Sequence, residues 1–87
     1  MIALGYKPSF LRQFKKLPAA LQEEAHEKIA LFKDPKNHAT LKVHKLKGEL
    51  KGYLSFSVNY SYRIIFAWEK TGSSAVFYAI GDHSLYD

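Results

Sequence analysis

Residues 54–68 decide the fold of this chain, and they read LSFSV, then NYS, then YRIIFAW. On both sides of the central NYS, large apolar side chains recur at every second position, which is the spacing of a β-strand with one buried face. Asparagine and serine between two such runs favour a tight connection. The stretch therefore predicts a β-hairpin.

The period of two continues towards the C-terminus. Residues 69–73, which include Gly72, predict a second turn. Three strands joined by short turns form an antiparallel meander. Residues 41–48, ahead of the hairpin, show only a weak strand alternation, and Gly48 and Gly52 then indicate a turn. In the third strand of the meander, the pattern places Val76, Tyr78 and Ile80 on one face and Ala75, Phe77 and Ala79 on the other.

The first third of the chain predicts one strand and two helices. Residues 2–6 are short and apolar, as in an opening strand. Pro8 then starts a helix, Pro18 suits the first turn of a second helix, and Asp34-Pro35 ends it. The apolar residues at helical spacing are Phe10, Leu11, Phe14 and Leu17 in the first helix, and Leu21, Ala25, Ile29 and Phe32 in the second.

The predicted architecture is α+β, in the order β-α-α-β-β-β. An N-terminal strand is followed by a helical hairpin and a three-stranded antiparallel meander. The hairpin must cover one sheet face, because so small a domain has nothing else to cover it with. The length of 87 residues fits a single domain over residues 1–87.

Composition limits the classes of function. The chain has no cysteine, so a disulfide framework, a cysteine-ligated zinc site and a cysteine nucleophile are excluded. Since no apolar run approaches the ~20 residues of a membrane span, we expect a soluble, cytoplasmic protein. Residues 36–63 contain six basic residues and one acid, so this stretch carries the whole formal excess of +5. A nucleic acid, an acidic protein partner or a solvated lysine-rich loop would each account for it.

Arg63 is the first candidate for chemistry, because it lies in the otherwise apolar strand YRIIF. It must face the uncovered side of the sheet or a paired anion, and its planar fork suits a phosphate. The alternatives are an ordinary exposed strand arginine or a salt bridge to Glu49 or Glu69.

The C-terminal tail holds the next candidates, His83 and Tyr86. A histidine can transfer a proton near neutral pH, and a tyrosine can stack on a base or give a proton. A frayed terminus is the alternative. The basic cluster before the meander comprises His44, Lys45, Lys47 and Lys51, which could neutralise phosphate or act as a base, or could simply be a solvated turn. We expect Glu49 to be a local counter-ion for Lys45 or Lys47.

No metal or cofactor is expected. The four histidines share no ligand spacing, and the chain has no phosphate-binding loop, dinucleotide glycine pattern or G-x-S-x-G motif.

Three stretches taken together resemble one family. They are residues 45–53, KLKGELKGY; residues 58–66, VNYSYRIIF; and residues 79–86, AIGDHSLY. In this order and at these separations they are similar to the RelE/ParE toxin superfamily, in the form common to its RelE and YafQ-like mRNA interferases. The resemblance covers nearly the whole chain, since the order of helices and strands also matches.

The resemblance implies a RelE-like microbial ribonuclease fold that uses no metal, cleaves mRNA in the ribosomal A site, and is restrained by a cognate antitoxin in a hetero-oligomer. It implies that Arg63 contacts the scissile phosphate, that His83 is a catalytic acid or base, and that Tyr86 stacks on a base or donates a proton. His44 falls where members place titratable groups around the 2′-hydroxyl. The corresponding candidates for RNA binding are Lys42, Lys45, Lys47 and Lys51.

The main alternative is a ParE-type toxin, which has the same fold and poisons DNA gyrase without cleaving RNA. The titratable tail argues against it. A regulatory nucleic-acid-binding domain is a second alternative. The chain lacks the second C-terminal arginine of some RelE members, so we expect a mechanism nearer to the branch that uses histidine.

Overall fold

The helical hairpin follows the first strand, as the sequence predicts. The computed structural model describes residues 1–70, 72–82 and Leu85. Strand β1 (Ala3–Tyr6) leads into helices α1 (Pro8–Lys15) and α2 (Ala19–Phe32). Pro8 begins α1, where its missing N–H is not needed, and Pro18 lies at the N-terminal cap of α2. No helix among the described residues has the length and apolar character required to cross a membrane.

The meander also forms as predicted, and the sheet extends beyond it. Strands β3 (Leu54–Ser57), β4 (Arg63–Trp68) and β5 (Ser74–Gly81) pair antiparallel in sequence. Strand β1 lies parallel to β5, and a two-residue strand β2 (His44–Lys45) pairs antiparallel with β3. In the described part of the chain the sheet therefore has five strands, in the order β1-β5-β4-β3-β2. The weak alternation in residues 41–48 corresponds to the short strand β2, and the 3-10 turn Gly48–Leu50 follows it.

A bulge in β5 changes which of its side chains face the core. Ile65 pairs with Ala79 and Phe66 pairs with Phe77, so Tyr78 is an extra residue without a partner in β4. Ala75, Phe77 and also Ile80 belong to the core cluster. The predicted grouping of Ile80 with Val76 and Tyr78 was therefore wrong, because one extra residue reverses the alternation that follows it.

Helices and sheet meet at one layer of aromatic rings. The ring of Phe32, at the end of α2, lies 4.6 Å from that of Phe56, 4.8 Å from that of Phe66 and 5.6 Å from that of Phe77. All four side chains have no exposed surface. The predicted apolar helix positions pack here as well, except Leu11, which is 45% exposed. The helices therefore cover one sheet face.

The other sheet face is called the open face below. Strand pairing places Ser57, Arg63 and Gly81 in one row across it, and Ser55, Ile65 and Ala79 in the next. Ile65 is buried but lies outside the core cluster, as expected for a side chain on this second face.

Candidate functional site

Arg63 lies at the start of β4, on the open face, between Ser57 of β3 and Gly81 of β5. Its side chain is half-buried. Nη1 donates to the carbonyl oxygens of Asn59, Tyr60 and Tyr62 at 2.6, 3.1 and 3.1 Å. The β3–β4 turn thus holds one end of the guanidinium, which fixes the direction of the arginine.

None of these partners of Arg63 is a carboxylate. Within the described residues, neither Glu49 nor Glu69 forms an ion pair with it, and Glu49 forms none with Lys45 or Lys47; the ion pair present is between Lys36 and Asp34, at 3.6 Å. The expectation that Glu49 is a counter-ion is therefore wrong. Carbonyl dipoles orient Arg63 without cancelling its charge, so it keeps the capacity to stabilise a phosphate.

The turn that holds Arg63 is itself fixed by Asn59. Asn59 Oδ1 accepts hydrogen bonds from the backbone N–H groups of Ser61 and Tyr62, at 2.9 and 2.8 Å. Its Nδ2 donates to Oε1 of Glu24 on α2, at 2.7 Å. One asparagine therefore shapes the turn and ties it to the helical layer. Tyr60, at the tip of the same turn, is 92% exposed, so its ring is available for stacking on a base.

Leu85 packs back onto the domain. Its backbone N–H donates to the carbonyl oxygen of Asp82 at 3.1 Å. A Cβ added to Gly81 would lie 3.0 Å from both Cγ and Cδ2 of Leu85, so Leu85 packs directly over this glycine. Gly81 is the partner of Arg63 in the sheet. The predicted site residues His83 and Tyr86 lie outside the described residues, in the segments on either side of Leu85.

His44 is the titratable candidate that the described residues place on the open face. It is exposed, and its pairing with Ser55 gives it the same side of the sheet as Ser55 and Ile65. Its Nδ1 lies 2.8 Å from the carbonyl oxygen of Lys42. Since a carbonyl can only accept, Nδ1 must carry the proton, and in the neutral ring Nε2 then holds the lone pair. This tautomer can take a proton from a substrate.

His44 and Arg63 are near each other without touching. They are two strands and two residues apart, which corresponds to about 12 Å between their Cα atoms at ordinary strand dimensions. Because both side chains project from the open face, they can contact the same dinucleotide from opposite sides. Lys42, next to His44, is exposed and has a left-handed backbone with φ of 60°, a conformation that is uncommon for residues other than glycine.

The other three lysines are not brought together with Arg63. Lys45 pairs with Leu54, whose side chain packs against the core, so Lys45 projects from the side of the sheet that carries the helices. Lys45, Lys47 and Lys51 instead line a groove of about 640 Å³, together with Leu46, Gly48, Gly52, Tyr53, Leu54 and Trp68. These nine residues are called the lysine groove below. The stretch that looked like one basic patch in the sequence divides between two faces of the sheet.

The described residues contain no group of three or more histidine, aspartate or glutamate side chains that could hold a metal ion. His26 is exposed on α2, with its ring against Phe14, and His38 packs its ring on Phe32 at 4.7 Å. Nε2 of His38 lies 2.7 Å from the carbonyl oxygen of Phe32. These two histidines therefore have structural roles.

Sequence reasoning missed the residues that position the candidate groups. Asn59 was read only as part of a tight connection, although asparagine with serine two positions later is a typical signal for a side-chain-capped turn. Its partner Glu24 is 35 positions away, and no local pattern reveals such a contact. The role of Gly81 in admitting Leu85 becomes visible only in three dimensions.

Fold and site together define a class. A helical hairpin covers one face of a small sheet, and the open face carries an arginine that no described carboxylate neutralises, with Leu85 packed on the neighbouring Gly81. This is the arrangement expected for the RelE/ParE superfamily of toxins. The family model described as the ParE-like toxin domain matches residues 19–87, well over half of the chain. The chain therefore belongs to the ParE-like toxin family, within the RelE/ParE superfamily.

Solved structures agree with this fold. A chain of the intact Escherichia coli RelBE toxin–antitoxin complex aligns with a TM-score of 0.72 at 16% identity, covering 94% of this chain and 96% of that one. A chain of the YoeB–YefM complex from Staphylococcus aureus gives a TM-score of 0.72 at 16% identity, covering 95% and 98%. YafQ from Escherichia coli gives 0.62 at 18% identity, covering 99% and 98%. At these identities the likeness concerns the fold alone. Comparison with curated proteins finds no match.

Proposed function

We propose that this chain is the toxin of a toxin–antitoxin pair, and that it cleaves mRNA on the ribosome without a metal ion. The observation that carries the proposal is the setting of Arg63. Its guanidinium is directed by three turn carbonyls and has no carboxylate partner among the described residues. It lies in the sheet row whose next member, Gly81, packs against Leu85. That setting suits the stabilisation of charge on a phosphate.

The reaction would be attack by a ribose 2′-hydroxyl on the adjacent phosphorus. The bond from the 2′-oxygen to phosphorus forms and the bond from phosphorus to the 5′-oxygen breaks, which leaves a 2′,3′-cyclic phosphate and a 5′-hydroxyl. One group must accept the 2′ proton and another must protonate the leaving 5′-oxygen. The requirement for a 2′-hydroxyl restricts the substrate to RNA.

The roles proposed for the residues follow from their chemistry. Arg63 would stabilise the negative charge that develops on the phosphate oxygens. His83 would be the leading proton-transfer residue, with His44 as its counterpart through Nε2 and with Tyr86 in support. Lys42 would contact the RNA backbone near His44. We propose no role at the scissile phosphate for Lys45, Lys47 and Lys51, because the lysine groove opens on the other side of the sheet.

Much of the rate would come from positioning. Holding the 2′-hydroxyl in line with the leaving oxygen can supply a large part of the barrier reduction, and the ribosomal A site would hold the mRNA in this way. Free RNA would then be a poor substrate even for a competent enzyme. The proposed partners are accordingly mRNA, the ribosome and a cognate antitoxin that restrains the toxin.

Arginine substitutions test the proposal. The chain has two arginines, Arg63 and the exposed Arg12 of α1, so Arg63→Gln and Arg12→Gln make the same chemical change on the open face and away from it. We expect Arg63→Gln to lower mRNA cleavage in a translating extract by about 10²–10³-fold, as for other preorganised charge-stabilising groups. Arg63→Lys should retain part of the activity, and Arg12→Gln nearly all of it.

The ParE-type alternative predicts a different pattern. A gyrase poison would leave mRNA intact in the extract while inhibiting supercoiling by purified gyrase. His83 and Tyr86 favour RNA cleavage over this alternative, because a toxin that only binds a protein has no need for titratable residues in its C-terminal stretch. Intact mRNA together with inhibited gyrase would reverse that preference.

A further inference from the structure

The lysine groove combines three cations with an apolar floor. Lys45, Lys47 and Lys51 stand around it, and Leu46, Leu54 and Trp68 contribute its apolar surface. Trp68 stacks on Phe32 and makes an edge contact with Phe66, with ring centroids at 6.0 and 5.5 Å, and is still 36% exposed. A large aromatic surface thus remains open to solvent beside three positive charges.

The charges of the groove have no internal partner in the part of the chain that the structure describes. Lys45, Lys47 and Lys51 form no ion pair there, and Glu49, between two of them in sequence, does not neutralise them. An occupant that complements this site must bring both an apolar side chain for the floor and carboxylates or phosphates for the rim.

The position of the groove separates it from the proposed catalytic face. Lys45 and Leu54 project from the helix-bearing side of the sheet, whereas Arg63 and His44 project from the open face. An RNA strand held at Arg63 would have to pass around the edge strand β2 to enter the groove. Leucine side chains in the floor also offer no hydrogen bonds to base edges, which favours a peptide over RNA.

We propose that the lysine groove is the docking site for an acidic, amphipathic segment of the antitoxin. The assignment rests on the antitoxin partner proposed above. An apolar side chain of that segment fills the space between Leu46, Leu54 and Trp68, and flanking carboxylates pair with Lys45, Lys47 and Lys51. The antitoxin then binds the toxin on the side of the sheet opposite the proposed RNA site. Docking in the lysine groove and blocking of the open face are therefore separate functions of the antitoxin.

The test uses the full chain and, as the probe, its cognate antitoxin, which the proposal requires to be an acidic protein. Lys47→Glu combined with Lys51→Glu reverses two charges of the groove. Lys15→Glu combined with Lys70→Glu makes the same change in net charge at two exposed lysines outside it. Calorimetric titration should show affinity reduced about ten- to a hundredfold for the groove variant and less than about threefold for the control, with a weaker salt dependence for the groove variant.

Trp68 supplies an independent readout, because it is the single tryptophan of the chain. With the chain labelled with ¹⁵N, its one indole N–H resonance should shift on addition of the acidic protein and should shift far less in the groove variant. Equal affinity of the groove variant and the control, or an unmoved indole resonance in a saturated native complex, would overturn the assignment.

Two further outcomes separate the explanations. If the groove variant binds the acidic protein normally but loses affinity for a twelve-nucleotide uridine RNA, the groove binds RNA and the assignment is wrong. If the native chain does not bind the acidic protein at all, the partner and the groove assignment both fail, while the mRNA cleavage assay still decides the proposed enzymatic function independently.

Discussion

Arg63 is charged and half-buried, yet its guanidinium is still available to bind an anion. Its Nη1 is held by the carbonyl oxygens of Asn59, Tyr60 and Tyr62, which compensate for partial loss of water without removing the positive charge. A carboxylate at the same place would have oriented the arginine equally well and would have competed with a phosphate. Carbonyl partners leave the charge of Arg63 free to bind an anion, as the proposed function requires.

Gly81 gives a prediction at the same scale. In Gly81→Ala the new Cβ would lie 3.0 Å from Leu85, so the leucine must move. The proposed catalytic residues His83 and Tyr86 are close to Leu85 in sequence, and the substitution tests whether their function depends on this contact. We expect mRNA cleavage to fall by at least about tenfold, since small displacements of catalytic groups have large effects. The melting temperature should change little, because Leu85 lies at the end of the chain.

Gly5→Ala is the matched control for that experiment. The Cβ added there meets Val76 Cγ2 at 3.6 Å, an ordinary contact, so both stability and cleavage should stay near native values. If Gly81→Ala cleaves mRNA as fast as the native chain, the packing of Leu85 over Gly81 does not position the tail.

At the scale of elements, one hydrogen bond joins the helical layer to the β3–β4 turn. Asn59 Nδ2 donates to Glu24 of α2 at 2.7 Å, while Asn59 Oδ1 accepts from two backbone N–H groups of the turn. Asn59→Asp keeps the acceptor but places a carboxylate against Glu24. We expect it to lower the free energy of unfolding by about 1–2 kcal/mol in a urea titration.

A double substitution tests whether the hydrogen bond between Asn59 and Glu24 accounts for the loss of stability, as opposed to a general change in the turn. In Asn59→Asp combined with Glu24→Gln, the new amide can donate to the new carboxylate, so most of the lost stability should return. Glu23→Gln, at an exposed position of the same helix, should not restore it. The cycle would contradict the link if Glu24→Gln and Glu23→Gln had the same effect on the Asn59→Asp chain.

The sequence predicted these elements where the pattern is local. Period-two spacing in residues 54–68 predicts β3, β4 and the turn between them, because each strand shows its own buried face. It fails at Tyr78, since a bulge depends on the pairing of two strands and leaves no mark in one of them. It also could not separate Lys45 from Arg63, because the face on which β2 projects each residue depends on its register with β3.

At the scale of the whole molecule, Phe32 connects the layers. Its ring contacts those of Phe56, Phe66 and Phe77, and no part of it is exposed. Phe32→Ala should lower the free energy of unfolding by about 3–5 kcal/mol, as for other buried aromatic residues. Because small domains are stable by only about 5–15 kcal/mol, this loss is a large part of the total and should lower the unfolding midpoint in urea markedly.

Its neighbour Leu31 provides the comparison. Leu31 is 44% exposed and alanine is favourable in a helix, so Leu31→Ala should change the unfolding midpoint in urea only slightly. A small effect of Phe32→Ala in the same titration would show that the aromatic layer can repack and is not the centre of the core.

The distribution of basic residues over the two sheet faces was only partly predictable from the sequence. Arg63 was found because a cation in an apolar strand is conspicuous, and His44 falls on the same face as Arg63. The basic stretch of residues 36–63 suggested one surface, yet folding divides it between the open face and the lysine groove. The sequence shows how many charged residues a stretch contains, whereas the register of the strands determines on which face of the sheet each one lies.

The most direct test of the central claim uses an mRNA that carries a single 2′-deoxynucleotide at the position where the toxin cuts on translating ribosomes. The account predicts that the native chain cuts the all-ribose mRNA to give a 2′,3′-cyclic phosphate and a 5′-hydroxyl, and that it leaves the 2′-deoxy position intact. His83→Ala should lower the rate about 10²–10⁴-fold. Cutting at the 2′-deoxy position, or arrested growth with intact mRNA, would contradict the account.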